Sequence, residues 1–339
     1  MKIGVRPEHD FDRKSIAFYY ENYDIVPTPD FSEATRTLKP IHGLSYLGNA
    51  NNKKCRFCHK GEPEVSFRDD AHALPESIGN KALASYYECD ACNCLFGKGI
   101  ETEYGKFFNF YHNVANVKGK NGPPTLAYKI SCAKRTEECM DYCIKLNFDN
   151  DIPVIRVCQE VDENHVEKKD DCIILKSKIP QHSPIAVYKA LVKMAITVLP
   201  FTDLVYYTKA TEWIKDLNHK NIFTNGKKLL VKYEFIPGYN VTQYPHFSIF
   251  KRKGTVFNLP HTLFHLTYGC LSMLIEVPRD NDFLKNSIEK IIMPPTPFYS
   301  SAPEIWDLSD CVSLKEQKHS IVFNFSECKE ITENLERIS

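Results

Sequence analysis

Two Cys-x-x-Cys pairs, Cys55-Arg56-Phe57-Cys58 and Cys89-Asp90-Ala91-Cys92, stand 30 residues apart in a chain of 339 residues. One such pair arises by chance or serves as a redox couple. Two of them around a glycine-punctuated stretch bring four thiolates together, enough to complete a tetrahedron around Zn²⁺ with bonds near ~2.3 Å. Four reduced core cysteines are the plain alternative. A redox role is disfavoured, because nothing around Cys55 has a thioredoxin-like strand-to-helix context. Cys94 and His59 lie beside the pairs and are read as bystanders.

The compartment supports ligation over disulfides. The chain begins Met1-Lys2-Ile3-Gly4-Val5-Arg6-Pro7-Glu8-His9-Asp10, with charges and a proline where a signal peptide needs an apolar run. A cytoplasmic location is expected, so the 13 cysteines, five of them between Cys55 and Cys94, are thiols or metal ligands. The most apolar stretch, Ala186 to Phe201, carries Lys189 and Lys193, and no membrane span is expected. The 43 basic residues balance the 43 acidic ones. That excludes a polycation that coats nucleic acid or anionic lipid, but leaves room for a local basic groove.

An α+β fold in two parts is expected: a small zinc-bound module, then a larger mixed domain. A stretch rich in Gly, Pro and Lys at residues 118–124 reads as a linker. It divides a module at 44–117, with a 1–43 extension packed on it, from a domain at 125–339. In that last part Pro153 to Cys158 and Cys172 to Leu175 read as strands. Ser183-Pro184 reads as an N-cap and first helical residue, with Val187, Leu191, Met194, Ala195 and Val198 at helical spacing up to Pro200. A weaker helix is expected over Asp203 to Leu217, then strands at Leu229 to Ile236, Phe247 to Phe250 and Leu266 to Val277.

The gap between the cysteine pairs carries more information than the pairs do. Val65-Ser66-Phe67 reads as a strand, followed by Ala71-His72-Ala73-Leu74-Pro75 and Ile78-Gly79-Asn80. A second strand is expected over Leu83 to Glu88, and then a helix from Cys89 to about Phe108. Strand with terminal histidine, loop, strand, and helix with an asparagine in its first turns is an arrangement that resembles the HNH endonucleases, of the ββα-metal fold. The resemblance rests on His72-x-x-Pro75, Gly79-Asn80, Cys89-x-x-Cys92-Asn93, Phe96-Gly97 and Ile100-Glu101. It is closest to the branch in which two CxxC pairs clamp the ββα unit through structural zinc, here Cys55, Cys58, Cys89 and Cys92.

Phosphodiester hydrolysis needs an in-line water, a base to take its proton and a cation to neutralise developing charge. A histidine suits the base near neutral pH. The resemblance implies His72 as that base and Asn93 as a side-chain ligand of the catalytic Mg²⁺ or Mn²⁺. One position departs from the family pattern: the acid that often precedes the histidine is Ala71. Three explanations stay open. Asparagine alone holds the metal, as in the His-Cys box homing endonucleases; or Asp70, Glu76 or Glu101 reaches in; or the centre is dead. Glu101 lies about 80° round an ideal helix from Asn93 and ~12 Å along it, too far to share an ion unless the helix kinks at Gly97 or Gly99. Asn80 is read as a turn residue, or as a buttress of the loop that carries His72.

Residues 51–110 hold eight basic and nine acidic residues, so strong intrinsic DNA affinity is not expected. Arg56, Arg68, Lys81, Lys98 and Lys106 are candidate phosphate contacts, each with an ordinary solvated charge as its alternative. In the second domain Tyr206, Tyr207, Trp213, Tyr233, Phe235, Tyr239, Tyr244 and Phe247 could stack bases, although core packing is the commoner role. His261 and His265 are four apart on a strand pattern and are not taken as a metal pair. The expected function is a metal-dependent endonuclease acting on double-stranded DNA, with RNA not excluded. The competing reading is a non-catalytic zinc-dependent binding module. A protein partner or activating ligand at residues 125–339, a homo-oligomer, and an effector role in bacterial anti-phage defence are expectations from architecture alone.

Overall fold

A computed structural model describes residues 10–27, 38–39, 43–115, 117–120, 126–128, 142–149, 152–158, 166–169, 172–223, 227–235, 242–254, 259–283, 304–310 and 317–324. In chain order these form α1 (Asp10–Asn22), β1 (Tyr23–Val26), β2 (Ser45–Leu47), β3 (Leu83–Ser85), α2 (Asp90–Lys98), α3 (Ile100–Val114), β4 (Leu126–Tyr128), β5 (Tyr142–Asp149), β6 (Ile152–Cys158), β7 (Val166–Lys169) and β8 (Cys172–Ile179). Then follow α4 (Pro184–Val198), α5 (Thr208–Lys215), β9 (Leu230–Phe235), β10 (Thr242–Arg252), β11 (Thr262–Gly269), β12 (Leu271–Glu276), β13 (Glu304–Asp307) and β14 (Gln317–Asn324). The α+β class holds. None of the described helices is long and apolar enough to cross a membrane.

A six-stranded antiparallel sheet, ordered β1-β10-β11-β12-β9-β13, is the largest element. The run from Leu266 to Val277, expected as one strand, is the hairpin of β11 and β12. Gly269 makes that turn at φ +53°, and a Cβ there would meet Ala115 and Val117 at 2.9 Å, so glycine serves both the turn and the close approach. The expected extension on the cysteine module goes elsewhere in its described part: β1 pairs with β10, and Tyr19 of α1 packs on Phe250. The linker residues Asn121 to Pro124 lie outside the described residues, as does Tyr239.

Helix α4 is buried at every position from Pro184 to Val198. Its start is the expected one: Ser183 is the N-cap, its hydroxyl accepting from the Ala186 N–H at 3.4 Å, and Pro184 takes the first helical position. The weaker helix splits into a 3-10 segment at Phe201–Tyr206 and α5. Burying two lysines inside α4 requires partners. Lys189 donates to the Asp216 carbonyl at 2.6 Å, and Lys193 meets carboxylates from the cysteine module. Of the aromatics offered for base stacking, Tyr207, Trp213, Tyr233 and Phe247 are core residues.

The module and the second part share one apolar core. Helix α3 lies against α4, and its Phe107, Phe108 and Tyr111 surround Trp306 of β13. Tyr104 and His112 of α3 both hydrogen-bond the Tyr268 hydroxyl of β11, at 2.8 and 2.9 Å.

Candidate active site and metal centre

The four cysteines converge. The sulfurs of Cys55, Cys58, Cys89 and Cys92 all lie within 4.8 Å of one another, and Cys58 Sγ is 3.7 Å from Cys89 Sγ. A tetrahedron with bonds of ~2.3 Å has edges of ~3.8 Å, so the cage has the size Zn²⁺ requires. The first pair sits in a tight turn, with the Cys55 N–H on the Lys60 carbonyl and the His59 N–H on the Cys55 carbonyl. The second pair opens α2, where Cys89 is the N-cap. Burial pushes the Cys89 thiol up to about 11, and the hydrogen bond to Cys55 together with burial pushes Cys92 up as well. Four clustered sulfurs, three of them buried, cannot all ionise unless a cation offsets their charge, so the donor set fits structural zinc. His59 and Cys94 are exposed and outside the cage, as expected.

The segment 65–69 is a loop, not the expected strand. Ser66 O accepts from the Asp90 N–H, and the Asp90 carboxylate accepts from the N–H groups of Arg68 and Asp69 at 2.9 to 3.1 Å. Those backbone groups are spent on the start of α2 rather than on a ladder. The strand that carries the histidine lies slightly later. His72 bridges Ala84 antiparallel, flanked by Ala73 N–H to Leu83 O at 3.1 Å and Ser85 N–H to Ala71 O at 2.8 Å. Strand β2 adds in parallel on the other side of β3, with Tyr46 level with Ala84. Strand β3 itself ends at Ser85, short of the expected Glu88.

Alternation sorts the faces of this small sheet. Ala71 and Ala73 point into the core and are at most 2% exposed. His72 points the other way and is half-buried. Asp70, two residues before His72, shares its face; its Oδ1 accepts from the Tyr46 hydroxyl at 2.7 Å, and its Oδ2 has no protein partner among the described residues. That bond pushes the Tyr46 hydroxyl up to about 12, so it stays a donor at neutral pH.

Asn80 is the buttress. It is fully buried, and its amide donates to the carbonyls of Leu74 and Leu83 at 2.7 and 2.8 Å. Its oxygen accepts from the N–H groups of Ala82 and Leu83 at 3.2 and 3.0 Å. One side chain thus fastens the end of the histidine strand to the start of β3. Asn93 sits in the first turn of α2, half-buried, its N–H on the Cys89 carbonyl at 2.9 Å. The side chains of His72 and Asn93 have no protein hydrogen bond among the described residues.

The helix does break at Gly99, whose φ of −104° and ψ of −105° leave the helical basin. The break sends Glu101 towards α4, where it meets Lys193 Nζ at 2.9 Å. Glu76 starts a single 3-10 turn after Pro75. Arg56, a candidate phosphate contact, is instead buried: its Nη1 donates to the carbonyls of Ile196, Thr197 and Leu199 at 3.0, 3.0 and 2.6 Å, capping the C-terminus of α4. Its guanidinium lies 3.7 Å from the Tyr87 ring centroid. Lys106 pairs with Glu103 at 2.6 Å. Arg68, Lys81 and Lys98 remain exposed.

A cysteine-caged hairpin with His72 on its open face, followed by a helix with Asn93 in its first turn, is the order of the family proposed from sequence. Residues 55–109 match the family described as HNH endonuclease. The chain carries an HNH endonuclease domain. The match contains the whole cysteine cage, His72, Asn80 and Asn93. No curated protein and no solved structure matches the chain. The HNH domain implies a nucleic-acid substrate. The Glu88–Lys193–Glu101 cluster was not anticipated; the one signal for it is the pair of lysines inside the apolar run of α4.

Proposed function

We propose that the protein is a metal-dependent endonuclease that hydrolyses phosphodiester bonds in DNA, with His72 as general base and Asn93 as a ligand of the catalytic Mg²⁺ or Mn²⁺. The observation that carries this is the pair of accessible, unpartnered polar side chains, His72 and Asn93, inside a cysteine-caged HNH domain. Side-chain polar groups held out of intramolecular hydrogen bonds are available to water, metal and phosphate.

Hard cations take oxygen ligands and leave several positions to water and substrate. The Asn93 amide oxygen and the free Oδ2 of Asp70 are such donors. Among the acids that could replace the one missing at Ala71, Asp70 is favoured. It shares the His72 face, whereas Glu101 is committed to Lys193. The cation, when bound, neutralises charge on the scissile phosphate and its leaving oxygen. His72 takes the proton of the attacking water on one ring nitrogen. Asn80 acts at a distance, holding the strand on which His72 rides. The cysteine cage fixes the start of α2 and so the position of Asn93.

The test is plasmid cleavage by metal-stripped protein with Mg²⁺ or Mn²⁺ restored, wild type beside His72→Ala and Asn93→Ala. Metal-dependent cutting that disappears in His72→Ala is expected. Cutting that persists in the variant removes His72 from the base role. A protein that binds DNA but does not cut under any metal is the zinc-dependent binding module, the reading that the buried Ala71 favours.

A further inference from the structure

On the His72 face of the small sheet, two tyrosines form an unusual arrangement for an open surface. Tyr46 of β2 and Tyr86, just beyond β3, stack with ring centroids 4.6 Å apart and planes 11° from parallel. Both ends of the stack are fixed: the Tyr46 hydroxyl donates to Asp70, and Lys53 Nζ lies 5.0 Å from the centroid of the Tyr86 ring. Register places the pair relative to the histidine. Tyr46, Ala84 and His72 are level across the three strands. Side chains level across neighbouring strands share a face, with Cβ atoms about 5 Å apart between adjacent strands. Ala84, between them, is fully buried. To reach Asp70, the Tyr46 ring must cross β3 between Ala84 and Tyr86. One ring face is taken by Tyr86, and Tyr46 stays only half-buried.

We propose that Tyr46 and Tyr86 form a nucleotide platform: the base or sugar flanking the scissile phosphate packs against the ring of Tyr46, and Lys53 pairs with a neighbouring phosphate. This rests on the reading of His72 as the base, since that places the scissile phosphate beside the same row. The physical case has three parts. Both tyrosines are half-buried, so their rings keep surface for a ligand. Aromatic faces stack bases of any sequence, which suits a domain whose charge is close to neutral and cannot rely on electrostatics for affinity. The Asp70 and Lys53 contacts hold the rings in place, so little side-chain freedom is lost on binding.

The experiment uses the full-length protein and a fluorescein-labelled DNA oligonucleotide, followed by anisotropy in Ca²⁺, with the same oligonucleotide carrying 5-iododeoxyuridine for photocrosslinking and peptide mapping. Expected are a crosslink to Tyr46 or Tyr86 in the wild type, about a tenfold or greater weakening of binding in Tyr46→Ala and Tyr86→Ala, and a much smaller loss in Tyr46→Phe, which keeps the ring. Crosslinks that map elsewhere, or Tyr46→Ala binding at wild-type strength with its zinc content intact, overturn the platform. Should the alanine variants fail to fold, the crosslink in the wild type decides alone. A wild type that binds and crosslinks through Tyr46 but never cuts would sink the nuclease reading and leave the platform standing. One that cuts with no crosslink to either tyrosine would do the reverse.

Discussion

Lys193 of α4 and Glu88, the residue before Cys89, form an ion pair of 2.8 Å in which neither side chain is more than 1% exposed. Arg56, between the first two cysteines, reaches the C-terminal end of the same helix through three carbonyls. Residues next to ligands from both cysteine pairs are therefore anchored on α4. Glu103 of α3 adds a third tie by accepting the Ser183 N–H at 2.6 Å at the start of α4. Burial alone would lower the pKa of the Lys193 ammonium, but Glu101 and Glu88 outweigh it and hold the ammonium above its ordinary value.

Breaking this pair from one side leaves an uncompensated buried charge. Lys193→Ala is expected to cost ~3–5 kcal/mol, because Glu88 has no water to replace its partner. The triple variant Lys193→Met, Glu88→Gln, Glu101→Gln removes all three charges of the cluster and is expected to recover most of the loss. Urea denaturation of the three proteins at matched zinc content measures it. A single variant within about 1 kcal/mol of wild type would mean that the pair is not the anchor we describe.

The same ties predict that residues 44–117 do not fold well alone. Excision exposes Tyr104, Phe107, Phe108 and Tyr111, all nearly fully buried in the whole chain, and leaves Glu88 and Arg56 without their partners. A patch of that kind drives aggregation. The fragment is expected to bind zinc weakly and to give poorly dispersed amide spectra. A sharp, zinc-replete spectrum would show that the linker near residue 118 is a true domain boundary.

Asn80→Ala removes four hydrogen bonds from a fully buried side chain. It leaves two carbonyls and two N–H groups to find other partners. A loss of roughly 2–4 kcal/mol is expected. If His72 is the base, kcat should fall with it while KM for DNA changes little, since Asn80 touches no substrate. Thermal melting and a KM-against-kcat comparison test both halves. Unchanged kcat in a folded Asn80→Ala protein would show that the histidine strand does not need its buttress.

How much of this was legible in the sequence follows from the range of each interaction. The cysteine cage was, because CxxC spacing is itself the geometry of two ligands. Helix α4 was, because Ser183-Pro184 is a local start signal and Pro200 a local stop. The Val65–Phe67 strand was misread, since β-propensity could not show that Asp90, more than 20 residues on, would take the backbone N–H groups of Arg68 and Asp69. Arg56 looked like a phosphate contact because its true partners are carbonyls 140 residues away. Glu101 was reached only through the break at Gly99, which sequence could name but not place. The Tyr46–Tyr86 stack left no sequence signal, as it depends on a parallel pairing between β2 and β3.

Two buried imidazoles make stability fall at mildly acidic pH. Burial pushes both His112 and His265 down to about 3, whereas an unfolded histidine titrates near ~6.5. Between those values the unfolded chain binds protons that the folded protein does not. The contribution is therefore whole above ~6.5 and is lost progressively as pH falls towards 3, at up to ~1.4 kcal/mol per pH unit for each group. His112 is the cleaner test, because its Nε2 meets the Tyr268 hydroxyl at 2.9 Å and glutamine can replace that bond. His112→Gln should have a flatter stability profile than wild type. Between pH 7.5 and 5.0 the two curves should converge by about 2 kcal/mol. The cysteine cage also protonates as pH falls, but it does so in both proteins, and the difference isolates the histidine. Parallel curves in urea unfolding across that range would show that His112 is not held neutral by its burial.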